Sequence, residues 1–164
     1  MTFFVDRDLG PRVGRALREV KVDVVLHGER FRADESDARW IHSVSTDGLV
    51  ILTRDRHIRS RPAEREAFMD AGARCFIVTT GASTPLDDLR ALLIAWPSIL
   101  AYVAEMPAPF MFGIARDGRL TQYLPTFGPE GPAARATATR AARVRRASSQ
   151  GGPSSASRQT DRPG

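Results

Sequence analysis

Leu49-Val50-Ile51-Leu52-Thr53-Arg54-Asp55 (LVILTRD, residues 49–55) decides the fold of this chain. The run Leu49–Thr53 is almost wholly apolar, which suits a central parallel strand covered on both faces rather than one with a wet side. Asp55 follows at once, at the carboxyl end of that strand. The same ending appears at the start of the chain, where Thr2–Asp6 reads as a short apolar strand closed by Asp6.

Outward from these strands, apolar runs and helical periods alternate. A helix is expected from about Leu9 to Val20, with Gly10 and Pro11 at its start, where the missing proline N–H costs nothing. Val22–Leu26 is a second buried strand. After the loop His27–Ala33 comes a helix from about Ser36 to Ser45, with Ala38, Trp40, Ile41 and Val44 facing inward. A helix over Pro62–Asp70, a strand over Arg74–Thr79 and a helix from about Leu86 to Ala95 follow, with Pro97 expected to kink or interrupt the last before Ile99–Glu105. Phe110–Ala115 and Leu120–Leu124, joined through Asp117-Gly118, carry the signal of a hairpin. This order defines an α/β fold, a mainly parallel central sheet with helices on both faces and a C-terminal hairpin.

With 164 residues, 42% of them hydrophobic, the chain has room for one domain, expected over 1–124. From Pro125 onward the composition turns to Ala, Arg, Ser, Gly and Pro, and 125–164 is expected to be a disordered tail. Its seven Arg against Glu130 and Asp161 carry the whole formal charge of +5, so 1–124 is formally neutral. No run is long enough to span a membrane, and acidic residues interrupt MTFFVDRDLG where a secretory signal would stay apolar, so a cytoplasmic protein is expected. Cys75 is the only cysteine, which excludes an intramolecular disulfide and a cysteine-based zinc site; its setting in CFIV reads as a buried strand.

The carboxyl ends of parallel strands share one edge of the sheet, so Asp6 and Asp55 can meet there. Asp37 starts the helix that feeds the third strand, and the ten residues before it are enough to carry that start back over the same edge. Three neighbouring carboxylates repel one another unless a cation neutralises them. A hard ion such as Mg²⁺ suits oxygen ligands and a site open to a phosphodiester, where it activates water and stabilises a leaving oxygen. Taken singly, each Asp reads first as a helix cap or a solvated loop residue rather than as part of a site. Two at equivalent strand ends shift the balance toward a site. Asp8 and Ser60 read as caps, Glu64 as a first-turn glutamate or a fourth acid. Arg54, Arg56, Arg59 and Arg61 form a basic rim beside Asp55, suited to the phosphates of a polyanion, with a solvated loop as the alternative. His57 in that loop has no special role assigned.

Together, FFVDRDLG (Phe3–Gly10), the Asp37-x-x-Trp40 helix start, LTRDRHIR (Leu52–Arg59) and RPAERE (Arg61–Glu66) resemble the PIN-like toxin nucleases of the VapC type. The resemblance extends weakly through Pro109-Phe110 and Asp117–Leu120. It implies a PIN-like fold, Mg²⁺- or Mn²⁺-dependent endoribonuclease activity through Asp6, Asp37 and Asp55, an RNA substrate and a cognate antitoxin partner. Many such nucleases have another acid after the fourth strand, whereas this chain reads Val78-Thr79-Thr80-Gly81-Ala82-Ser83 and has no carboxylate until Asp87 and Asp88. A receiver domain or a haloacid-dehalogenase-like phosphatase would need a lysine late in the chain, and Lys21 is the only one. A degenerate PIN-like module that binds antitoxin or RNA without cutting stays open, as does a homodimer.

Overall fold

The computed structural model describes residues 1–124; the expected tail, 125–164, lies outside the described residues. Six strands form one sheet: β1 (Phe3–Val5), β2 (Val24–Leu26), β3 (Val50–Thr53), β4 (Arg74–Val78), β5 (Phe110–Ile114) and β6 (Leu120–Leu124). Their order is β2-β1-β3-β4-β5-β6, with β1 to β5 parallel to their neighbours and β6 antiparallel to β5. The fold is therefore the α/β, mainly parallel arrangement expected of the sequence, with its hairpin turning at Gly118.

Side chains alternate across the sheet, as the two-residue strand period requires. Phe3, Val5, Val50, Leu52, Phe76 and Phe112 pack with α1 (Pro11–Glu19) and α5 (Pro85–Glu105) on one face. Phe4, Ile51, Cys75, Ile77 and Met111 pack with α3 (Asp37–Thr46) and α4 (Pro62–Asp70) on the other. All four residues of β3 are buried, which is why that strand reads as continuously apolar.

Three local expectations are corrected. The segment after β2 is not an open loop: His27–Arg30 form a one-turn helix, α2, held where the Glu29 carboxylate accepts the Leu26 N–H at 2.9 Å. β2 begins at Val24 because the Val22 N–H is spent on the Leu17 carbonyl at the end of α1. Pro97 does not interrupt α5. It lies on the solvent side, where the carbonyl it leaves free can be hydrated, while Ala95 and Ile99 hold the helix to the core on either side. Among the described residues no helix is long and apolar enough to cross a membrane.

The strand order places a reversal between β1 and β3. The chain moves outward from β1 to β2, then returns past β1 to β3 and continues the other way. In open α/β sheets ligands bind beyond the carboxyl ends of strands at such a switch point. Asp6 and Asp55 follow those two strands.

Candidate metal centre

Asp6 ends β1 with its backbone tied into the sheet: its N–H donates to the Leu52 carbonyl at 3.0 Å. Its side chain is only 3% exposed. One carboxylate oxygen accepts the Arg7 N–H at 2.6 Å, and the other accepts the Thr53 hydroxyl at 2.7 Å. Burial pushes its pKa from the ordinary 3.8 up to about 6; the Thr53 bond offsets part of this, and the nearby charges of Asp8 and Asp37 add to it. Thr53, wholly buried at the end of β3, also accepts the Asp55 N–H at 3.0 Å. One hydroxyl thus links the two strand ends.

The Asp55 carboxylate accepts the His57 N–H at 2.8 Å, which starts the 3-10 turn His57–Arg59. That turn leads to α4 and presents Glu64 from its first helical turn. Asp37 begins α3, where its carboxylate accepts the Trp40 indole N–H at 2.9 Å and Arg7 at 3.1 Å. The contact with Arg7, one residue past Asp6, places the start of α3 over the carboxyl edge of the sheet.

Asp37, Asp55 and Glu64 converge, each offering an oxygen within 4.8 Å of the others. Asp6 is not a member of that group; two hydrogen bonds that share the Thr53 hydroxyl join its carboxylate to the Asp55 backbone. Glu64, which the sequence leaves between first-turn residue and fourth acid, is drawn in because the 3-10 turn brings the start of α4 beside the start of α3. Its Oε2 is buried without a hydrogen-bond partner, while Oε1 accepts Arg61 at 3.0 Å. Arg61 also lies 3.5 Å from Asp37 and 3.6 Å from Asp55, so its guanidinium faces all three acids.

Three carboxylates, one with an oxygen buried and unpaired, form the all-oxygen donor set that a hard divalent cation takes. The residues fit such an ion.

The remaining candidates divide. Arg54 is committed to structure, donating to the Gly81 carbonyl at 2.7 Å and lying 3.3 Å from Asp88. Arg59 lies over the Tyr123 ring, 4.6 Å from its centroid. Arg56 and His57 are exposed, and Arg56 and Arg59 share a small surface cavity with Thr79. Asp8 does not cap α1, whose N-cap is Gly10, and Ser60 does not cap α4, because its hydroxyl donates back to the His57 carbonyl. No carboxylate follows β4 directly. Asp88, almost wholly buried on α5, returns to that strand end and accepts hydrogen bonds from Thr80 at 2.5 Å and Ser83 at 2.8 Å.

Residues 1–80 match the family model described as PIN like domain. That stretch runs from β1 through β4 and contains Asp6, Asp37, Asp55 and Glu64, so the acids lie within the matched region. Neither the search of curated proteins nor that of solved structures gave a match.

Proposed function

We propose that this chain is a divalent-metal-dependent endoribonuclease and the toxin of a toxin–antitoxin pair. The observation that carries the reading is the meeting of Asp37, Asp55 and Glu64 beyond the switch point of a sheet whose first four strands match a PIN like domain. Asp37, Asp55 and Glu64 would hold Mg²⁺ or Mn²⁺, with Asp6 as the adjoining acid. When bound, the ion supplies Lewis-acid polarisation and charge stabilisation to phosphodiester hydrolysis.

The protein's own part is positional. Trp40 and Arg7 fix the Asp37 carboxylate, and the His57 N–H fixes Asp55. Thr53 holds Asp6 and the Asp55 backbone in one register. Arg61, about half exposed, can swing from the acids toward a phosphate; Arg56 and Arg59 extend the basic rim. The partner antitoxin and the RNA sequence follow from the toxin reading and rest on it.

One observation favours a second reading. The Arg61 guanidinium already balances charge among the acids, as it would in a degenerate module that binds RNA or an antitoxin without cutting. The deciding assay incubates the full chain with single-stranded RNA and Mn²⁺ or Mg²⁺. Cleavage that chelation stops and Asp55→Asn abolishes supports the nuclease; metal-independent retention of intact RNA supports the binding module.

A further inference from the structure

Beside the acids, on the β2 side, lies a cavity of about 490 Å³. That is the size of a small-molecule site. Val5, Leu26 and Phe31 give it apolar walls, Asp6 lines it toward the metal centre, and Arg7 and Arg15 stand on its lining as cations. His27 lines it too. This residue is 4% exposed, sits among the rings of Phe4, Phe31 and Trp40, and has a buried Nε2 with no hydrogen-bond partner. A buried polar nitrogen without a partner costs free energy, and because this one has no solvent-accessible surface a ligand recovers that cost only when the His27 or Phe31 ring turns to open it to the cavity. The groups ask for a flat, largely apolar ligand with a hydrogen-bonding edge and an anionic attachment.

We propose that this cavity seats the base of a single-stranded RNA nucleotide adjoining the one cut at the acid cluster, stacked against Phe31 and hydrogen-bonded at His27, with its phosphate toward Arg15. The assignment deepens the ribonuclease reading and rests on RNA being the substrate. It gives the enzyme a preference at one base, because every base has a face to stack but only some edges complement one imidazole nitrogen.

The test uses the full chain carrying Asp55→Asn, in chelator, with a short single-stranded RNA bearing 2-aminopurine or an abasic site at each position in turn. The expected result is one position where 2-aminopurine is quenched and base removal weakens binding about tenfold, within the range of base–aromatic stacking. Phe31→Ala should abolish the quench and weaken the intact RNA by a similar factor while leaving the abasic RNA unchanged. If Phe31→Ala loses the fold, Gly28→Trp serves instead. Gly28 lies on the cavity lining with no atom within 4 Å of an added Cβ, so the indole can fill the space without a clash at its root. Equal affinity for intact and abasic RNA at every position overturns the proposal, as does absence of RNA binding or a quench that survives both variants. Wild-type cleavage is scored separately. A base-dependent site on a chain that does not cut retains the pocket and removes the nuclease, and cutting without base dependence does the reverse.

Discussion

Asp6 is a carboxylate kept in a place that disfavours its charge. Its pKa of about 6 in the fold against an ordinary 3.8 means that the folded state holds the proton more tightly than the unfolded chain. Stability from this group is therefore fully present below about pH 4 and is lost as pH rises through about 6, by roughly 3 kcal/mol at 1.36 kcal/mol per unit. Asp6→Asn should accordingly raise the stability of the metal-free protein at pH 7 by about 1–3 kcal/mol, with the difference closing near pH 4. Urea titrations at the two pH values measure it, and an equal or lower stability at pH 7 would show that the carboxylate is well solvated. Arg61 carries the complementary prediction. Arg61→Ala removes the cation that a metal must displace, so the Mn²⁺-induced rise in Tm should grow and the apparent Kd fall several-fold, whereas Glu64→Gln should lose most of the rise. A weaker metal response in Arg61→Ala would make the guanidinium a supporting group rather than a competitor. These residues also mark how far the site was legible in sequence. Asp6 and Asp55 stand out because strand ends repeat, but the convergence of Glu64 depends on a 3-10 turn between Asp55 and Pro62, which no periodicity announces. Arg61 reads as one of four similar arginines, and His27 as a loop residue, because their distinguishing partners are remote in sequence.

Elements meet at the carboxyl edge through few but well-placed groups. Asp88 on α5 ties together the ends of β3 and β4: it accepts from Thr80 and Ser83 and pairs with Arg54, itself bonded to the Gly81 carbonyl. Removing a buried partner strands the donors that faced it. Asp88→Ala should cost about 2–3 kcal/mol in urea denaturation yet leave the metal-induced rise in Tm in place; Asp88→Asn should cost less. Loss of the metal response with the fold intact would instead assign Asp88 to the metal centre. At this scale sequence reading is strong where burial sets the pattern, as in the four strands of the βα repeat and the Asp-Gly hairpin. It fails where one exposed position decides. Pro97 argues locally for a break, and only the burial of Ala95 and Ile99 around it shows why α5 continues to Glu105.

For the whole molecule, both helical layers described above lie within residues 1–124, and the charge excess lies beyond Leu124. Truncation after Thr126 should leave Tm and metal response unchanged. If the tail arginines touch RNA, the logarithmic salt slope of binding should flatten by about 0.7 for each phosphate that is no longer neutralised. A fall in Tm on truncation would place part of the core past Leu124. The sheet also holds a reporter. Cys75, the only thiol in the chain, is wholly buried in β4, and its burial raises its pKa, so it is both shielded and unreactive in the native state. An alkylating reagent can reach it only when the central sheet opens. Its modification rate is thus an intrinsic clock for that opening, readable by mass spectrometry without any engineered label. Run with and without Mn²⁺, the same clock would tell whether a ligand at the sheet's edge slows breathing at its centre.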